Sequence, residues 1–368
     1  MSWSTGVHAD HPDREWLAGI AKGIDLWLGE KVSTPTSQIT GGGAIARGEQ
    51  RLSALHDGRP AILMPSATYA LWVALRVLGV RAGDEVLIPQ YDWTSSLAVV
   101  CALGARPVVV PTDPTTLTID PAAAAQLRTA KTRAVIATAI FGISADVPAL
   151  QDALPGVSIV EDCSQSFQST LDGKPVGSLG DAAVFSFGPG KRIDVGELGA
   201  LLLRDEHLCE RALMESAHPV RQQISGLASL QLSNLSIRPH PLAAVLLSVA
   251  LDRDDPRTLI ESRRRMGAQL ALDTDLPLIG VDSRRGVASA TIPVLAERAG
   301  ADMLRADIAV SHGEVLDIGS VNSGAPITLP LVFLGGTHHM TEVMSMDDNN
   351  PGRSSSTTPK GPGRPRQK

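Results

Sequence analysis

The chain has 368 residues, of which 43% are apolar and 20% charged, as is typical of a soluble globular protein with a substantial core. Its net charge of -6 at pH 7 argues against a protein whose bulk binds nucleic acid. No apolar run approaches the length of a membrane span, so no membrane partner is predicted.

The three cysteines, Cys101, Cys163 and Cys209, lie far apart in no metal-ligand spacing. We therefore predict no metal site, and an odd number of separate cysteines suits a reducing compartment. The opening segment "MSWSTGVHADHPDREW" lacks the basic start and apolar core of a signal peptide. Together these features predict a cytoplasmic protein.

The first part of the chain, residues 1–55, is predicted to form an N-terminal arm with one or two helices. From about residue 60 to 204, short apolar strands alternate with helical patterns. The predicted strands are "PAILMPS", "DEVLIPQ", "RPVVVPT", "RAVIATAIFG" and "GVSIVEDCS", followed by a possible hairpin of "AAVFSFG" and "LGALLLRD". Wholly apolar strands separated by helices predict an α/β fold, in which a mainly parallel sheet is sandwiched by helices. We assign residues 56–250 to this large domain.

The second part of the chain is less regular. Residues 205–265 are mainly helical in pattern, and "HPLAAVLLSVAL" is too short to span a membrane and is predicted to be a buried helix. A strand in "ASATIPVLAE" and a helix in "ADMLRADIAVSHG" predict a smaller α+β domain over residues 251–346. Residues 347–368 are rich in Pro, Gly, Ser and Thr and carry five basic residues, so we expect a disordered basic tail.

A glycine cluster in "TGGGAIARG" places Gly41, Gly43 and Ala46 in the spacing of a dinucleotide-binding turn. That turn needs a buried strand before the glycines, whereas the preceding "STPTSQI" is polar. The cluster is therefore interpreted as a flexible turn.

Polar and aromatic residues follow several of the predicted strands. Ser66, Ala67 and Thr68 stand where a strand ends and a helix begins, a position that favours an anion, although an ordinary helix cap has the same pattern. "GVSIVEDCS" ends in Glu161 and Asp162, which could hold a protonated ring nitrogen or a metal, or could lie in a surface loop.

Two further residues complete this set of candidates. Trp93 follows another strand and could stack on a flat ring, although most tryptophans pack in cores. Lys191 follows Gly188-Pro189-Gly190, and lysine is the side chain that bonds covalently to aldehyde cofactors, although most lysines are simply solvated. A phosphate site, an indole, an aspartate and a lysine together describe pyridoxal phosphate.

At this point the chain resembles the DegT/StrS-type sugar aminotransferases, which have the aspartate-aminotransferase fold (fold type I). The matching segments occur in family order between about residues 38 and 250: "SATYALWVALRVLGVRAGDEVLIPQYDWTSS", "GARPVVVPTDPTTLTIDP", "EDCSQS", "GKPVGSLGDAAVFSFGPGKRIDVGELGALLLRD" and "NLSIRPHPLAAVLL".

The resemblance implies two catalytic residues. Lys191 would bond to the cofactor aldehyde, and Asp162 would bind the pyridine nitrogen and keep it protonated. Gln165 would contact the ring hydroxyl, and Trp93 would stack on the ring. The remaining implied cofactor contacts are to the phosphate, from Ala67, Thr68, Ser186 and, across a homodimer, Asn234.

The chain departs from the family pattern at several positions. Leu198 stands where the family prefers glycine, Ala67 replaces the glycine of a Ser-Gly-Thr segment, and Ala139 replaces a histidine. Between about residues 290 and 340 the family's substrate-side motifs are missing. Sugar-nucleotide recognition is the property that these departures affect most.

The resemblance implies transfer of an amino group from glutamate or glutamine to a keto-sugar nucleotide. Two alternatives stay open at this point: a non-nucleotide ketone such as a cyclitol, and a catalytically idle cofactor-binding partner or regulatory protein. A dehydratase is disfavoured because those relatives replace the lysine that this chain keeps. Nucleic-acid binding by the basic tail is also disfavoured, since charges on such tails are usually solubilising.

Overall fold

The structure is a computed structural model that describes residues 14–33, 37–227, 235–252, 254–273, 278–288, 292–295, 310–317 and 327–334. Its helices are α1 (Arg14–Ser33), α2 (Ser37–Thr40), α3 (Ala44–Leu55), α4 (Ala67–Val77), α5 (Thr94–Ala102), α6 (Pro121–Leu127), α7 (Val147–Ala153), α8 (Glu206–Ser216), α9 (Pro219–Ile224), α10 (Pro241–Leu251) and α11 (Pro256–Asp273). Its strands are β1 (Ala61–Met64), β2 (Glu85–Pro89), β3 (Arg106–Val110), β4 (Thr132–Thr138), β5 (Ser158–Asp162), β6 (Thr170–Leu171), β7 (Lys174–Pro175), β8 (Ala182–Ser186), β9 (Gly199–Leu203), β10 (Arg285–Gly286), β11 (Ile292–Leu295), β12 (Val310–Asp317) and β13 (Ile327–Leu334).

A seven-stranded sheet in the order β1-β9-β8-β5-β4-β2-β3 forms the centre of the molecule. Strands β8, β5, β4, β2 and β3 are parallel, and β9 is antiparallel to both of its neighbours, β8 and β1. The predicted mainly parallel sheet and the antiparallel pairing of "AAVFSFG" with "LGALLLRD" are therefore confirmed.

Both faces of the sheet are buried, because successive side chains of a strand point to opposite faces. In β8, Val184 packs in a core cluster with residues of α4, α5 and α8, whereas its neighbour Phe185 packs in a second cluster with residues of α3 and α10. A third cluster joins the β2–β4–β5 part of the sheet to α6 and α7. The predicted sandwich of helices around the sheet is confirmed.

The described residues that precede the sheet form three helices rather than one or two, since residues 37–40 add a single turn. Helix α3 buries Ala44, Ile45 and Leu52 in the same cluster as Phe185. A side-chain carbon on Gly23 would lie 2.5 Å from Val245, so α1 lies close against α10. The predicted boundary of the arm at residue 55 stays a prediction.

The C-terminal part contains a three-stranded antiparallel sheet in the order β11-β13-β12. The helix predicted from "ADMLRADIAVSHG" is wrong over its described residues, since Val310 to Gly313 belong to β12. All eight residues of β12 pair with β13, and this tertiary pairing overrides a weak local helical pattern. The predicted tail, residues 347–368, lies outside the described residues.

Within the described ranges, no helix is both long and apolar enough to cross a membrane. The segment "HPLAAVLLSVAL" corresponds to α10, which begins at Pro241 and buries Ala243, Ala244, Val245 and Leu247, as predicted. The cytoplasmic location stays a prediction.

Candidate active site

The candidate residues gather at the edge where the parallel strands end. Asp162 is the last residue of β5 and Ser186 the last of β8, while Trp93 follows β2 and Ser66 follows β1. Carboxyl ends of parallel strands form one edge of a sheet, which is where open α/β sheets bind ligands.

Asp162 and Lys191 are close enough for their charges to interact. Asp162 is only 5% exposed, and its Oδ1 accepts a hydrogen bond from the Ser164 N–H at 3.0 Å. Burial raises the pKa of Asp162, and the positive charge of Lys191 opposes that shift. Burial lowers the pKa of Lys191, and the charges of Asp162 and Glu197 oppose it. The edge therefore holds a buried acid and a half-buried amine.

The neighbouring acid, Glu161, faces away from this site, because alternation along β5 turns it to the other side of the sheet. Its carboxylate accepts the backbone N–H groups of Gly177, Leu179 and Gly180 at 2.9, 2.8 and 2.7 Å. Of the two acids at the end of "GVSIVED", only Asp162 is therefore available to a ligand.

Lys191 lies on the loop between β8 and β9, and that loop is braced internally. The Lys191 N–H donates to the Gly188 carbonyl at 3.2 Å, and Gly190 takes a left-handed conformation with φ of 73°. Asp194 accepts the N–H groups of Gly190 and Gly196 at 3.3 and 2.8 Å. The Gly-Pro-Gly segment therefore turns the chain immediately before the lysine, where a side chain at Gly190 would be strained.

Arg192 ties the same loop to two other parts of the molecule. Its guanidinium donates to the Phe167 carbonyl at 3.0 Å and to Asp254 at 2.5 Å. The loop is thus anchored both to the segment after β5 and to the chain just before α11.

The first turn of α4 forms the predicted anion position. The Ser66 hydroxyl accepts the Tyr69 N–H at 3.4 Å, so Ser66 is the helix cap, while the N–H groups of Ala67 and Thr68 precede the first helical hydrogen bond. Gly199 pairs with Ser186 across β8 and β9. A side-chain carbon on Gly199 would lie 2.2 Å from the Ser66 carbonyl carbon, so only glycine fits where β9 passes the start of α4. Gly199 was not among the predicted site residues.

Gln165 and Trp93 lie on the segments that follow β5 and β2 at this edge. The Gln165 Oε1 accepts the Phe141 N–H at 2.9 Å, so the NH₂ is the end of this amide that could donate to a ligand. The Asp162 carbonyl accepts the Ala139 N–H at 2.9 Å, so the main chain at Ala139 still packs on β5 without the family's histidine. Trp93 is 44% exposed, and its ring is therefore accessible.

Three further predictions made from the sequence concern Asn234, the glycine turn and a metal site. Asn234 lies outside the described residues. The glycine turn is preceded by α2 rather than by a strand, which supports its interpretation as a turn. A side-chain carbon on Gly41 would meet the Arg221 side chain, and one on Gly43 would meet the Glu30 side chain. Among the described residues, no group of three or more His, Cys, Asp or Glu could hold a metal ion.

Leu198, which replaces a family glycine, is fully buried and packs in the same core cluster as Phe187. It does not fill the edge where Asp162 and Lys191 meet. Leu198→Gly should therefore destabilise the protein by about 3–5 kcal/mol, through lost core burial and added chain entropy, and should leave the cofactor spectrum of the folded protein unchanged. Urea unfolding measures the first effect.

Leu272→Gly is the matched control for this variant, since the Leu272 side chain is 82% exposed on α11. It should cost only about 1 kcal/mol, the usual penalty of glycine in a helix. Equal costs for the two variants would contradict the core position of Leu198.

The residues at this edge fit pyridoxal phosphate. Within the described ranges no hydrogen bond or ion pair engages the Lys191 amine, while Asp162 is a buried carboxylate beside it. An aldehyde, a protonated ring nitrogen and a phosphate correspond to Lys191, Asp162 and the start of α4.

The fold matches that of solved enzymes. The 3-amino-5-hydroxybenzoic acid synthase structure superposes with a TM-score of 0.71 at 23% identity, covering 90% of this chain and 92% of that one. DesV of S. venezuelae superposes with a TM-score of 0.62 at 26% identity, covering 79% and 76%. The architecture is thus that of the fold type I transferases, as predicted.

The family follows from the sequence comparison. The model of the DegT/DnrJ/EryC1/StrS aminotransferase family matches residues 31–271, more than half of the chain, and the chain belongs to this family. Membership confirms the family that the sequence resembles and, with it, the predicted cofactor, pyridoxal phosphate.

One curated relative is L-glutamine:scyllo-inosose aminotransferase of Streptomyces griseus. It is 36% identical over 171 residues, which cover 45% of this chain and 40% of that protein. The chain thus spans less than half of this relative's length.

Proposed function

We propose that this protein is an aminotransferase that moves the amino group of L-glutamine or L-glutamate to the ketone of a cyclitol. The observation that carries the proposal is the pairing of Asp162 with Lys191 at the sheet edge beside the first turn of α4. The cyclitol acceptor is supported by the name of the Streptomyces griseus relative, an L-glutamine:scyllo-inosose aminotransferase.

When bound, pyridoxal phosphate supplies an aldehyde that takes up the amino group and a ring that accepts the electron pair left on the donor α-carbon. Lys191 would bond to that aldehyde and, once displaced by the donor, move a proton between the donor α-carbon and the cofactor C4′ carbon. Burial lowers the pKa of Lys191, which increases the neutral amine that this proton transfer needs.

The other predicted residues hold the cofactor in position. Asp162 would keep the ring nitrogen protonated, and the NH₂ of Gln165 would donate to the ring hydroxyl. Trp93 would cover one ring face. The phosphate would lie against the N–H groups of Ala67 and Thr68 and the Ser186 hydroxyl, with Asn234 of a second subunit completing the site in a homodimer.

An absorbance titration tests this function. Purified protein loaded with pyridoxal phosphate should show a visible band that L-glutamine or L-glutamate removes and that scyllo-inosose then restores. Loss of the band with the donor, without recovery on adding any ketone, would contradict the proposed acceptor. A band that neither donor changes would indicate a protein that binds the cofactor without turning it over.

A keto-sugar nucleotide is the second candidate acceptor, on the strength of the family resemblance. The same titration separates the two candidates, since the restoring ketone identifies the acceptor class. Recovery with nucleotide-linked 4-keto sugars, and none with inososes, would favour the sugar nucleotide.

A further inference from the structure

A second buried carboxyl, Asp92, lies beside the site and has no role in the function described above. It is 1% exposed and stands between the end of β2 and the start of α5. Its Oδ1 accepts the Trp93 N–H at 2.7 Å, and its Oδ2 accepts the Thr138 hydroxyl at 2.8 Å. Both oxygens are therefore held in place, one by the residue predicted to cover the cofactor ring.

Thr138 connects Asp92 to Asp162. Thr138 and Asp162 are register partners on the adjacent strands β4 and β5, so the hydroxyl that Asp92 accepts comes from the position next to Asp162. Two carboxyl groups, 1% and 5% exposed, thus lie within electrostatic reach of each other.

The surroundings of Asp92 disfavour its charge. Burial and, next, the negative charge of Asp162 raise the pKa of Asp92 to about 7. The other groups that face it are neutral hydroxyls, Thr138 on β4 and Ser96 on α5. No Arg, Lys or His among the described residues forms an ion pair with Asp92, and Lys191 faces Asp162 instead.

We propose that Asp92 is a positioning residue that acts through Asp162: it is protonated in the cofactor-free protein and releases that proton to solvent when the protonated ring nitrogen of pyridoxal phosphate binds at Asp162. The proposal rests on the proposed role of Asp162. Two neighbouring buried carboxyls hold one negative charge more readily than two, and the positive charge of the bound ring nitrogen offsets the cost of the second. The second negative charge would then strengthen the hold on the ring nitrogen proton.

The sign of the pH dependence follows from this proton release. If binding releases a proton from Asp92, wild-type affinity for the cofactor should rise by up to about tenfold per pH unit below the pKa of Asp92 and level off above it. Asp92→Asn keeps the size of the side chain and lacks the titrating proton. It should bind like the wild type in acid and more weakly, by about tenfold or more, in alkali.

The experiment is a titration of the cofactor-free protein with pyridoxal phosphate between about pH 5 and about pH 9, read as the dissociation constant from the visible band. Asp152→Asn is the matched control, since Asp152 is exposed on α7 and should reproduce the wild-type profile, including the cofactor's own titration. The proposal would be overturned if Asp92→Asn bound the cofactor like Asp152→Asn at every pH. It would also be overturned if Asp92→Asn bound more weakly by the same factor at every pH, which is the result that a purely structural role predicts.

Thr138→Val keeps the test decisive if Asp92→Asn does not fold. Loss of the Thr138 hydroxyl removes a hydrogen bond that lowers the pKa of Asp92, so the midpoint of the wild-type profile should move to higher pH. An unmoved midpoint contradicts the proposal. A wild-type protein that forms no visible band would instead reject the proposed function, so the two failures are distinguishable.

Discussion

Replacing Lys191 with alanine is expected to lower the rate of amino transfer by about 10⁴-fold or more, because the variant loses both the covalent attachment and the proton carrier. The visible band of the bound cofactor should disappear with it. The fold should be retained, since no hydrogen bond or ion pair in the described part of the chain depends on the Lys191 amine. Absorbance and donor half-reaction rates measure the two effects.

Two further variants test whether the effect comes from the loss of the Lys191 amine itself. Lys191→Arg keeps a positive charge beside Asp162 but cannot bond to an aldehyde, and it should be as inactive as Lys191→Ala. Lys174→Ala removes an exposed lysine on β7 and should retain wild-type activity and spectrum. A Lys191→Ala protein that keeps the visible band would exclude Lys191 as the attachment point.

Replacing Asp162 with asparagine should reduce turnover by about 10²–10³-fold, the usual effect of removing one preorganised electrostatic group from an active site.

The same variant should stabilise the cofactor-free protein at neutral pH. Burial raises the pKa of Asp162 in the folded state above its ordinary value of 3.8. The ionised carboxyl therefore costs stability that grows as pH rises from that value to the folded pKa.

Thermal unfolding of the cofactor-free wild type and Asp162→Asn across this pH window checks the second effect. The variant should gain on the wild type as pH rises, and the two should converge in acid. Asp152→Asn should follow the wild type throughout. If Asp162→Asn lost activity and stability together at all pH values, Asp162 would be a structural residue rather than a group held ready for a ligand.

The local sequence pattern was sufficient to predict the central sheet and the helices that cover it. In β2, "EVLIP", the four residues after Glu85 are all apolar and every residue is buried, and a strand of this kind is stable only when helices cover both faces of its sheet. The positions of Asp162, Ser186 and Trp93 at strand ends followed from those elements, since parallel strands share one carboxyl edge. The sequence indicated the candidate site because its residues follow strands that can be recognised locally.

Other features depend on contacts between distant segments. The sequence marked Leu198 only as a departure from a family glycine, whereas the pairing of β8 with β9 directs its side chain into the core. The helix predicted at residues 301–313 is wrong where the structure has β12. This strand is stabilised by pairing with β13, which lies further along the chain. Local propensity cannot report such pairings.

The sequence by itself therefore determined the alternating α/β order, the lysine turn and the residues that end the strands, since each depends on short-range periodicity or on glycine and proline. Only the tertiary structure decided that backbone N–H groups of a distant segment occupy the Glu161 carboxylate, that Gly199 must be a glycine against the start of α4, and that Asp92 shares a buried environment with Asp162. These properties arise where separate strands and helices meet, and burial and electrostatic coupling are set by those neighbours.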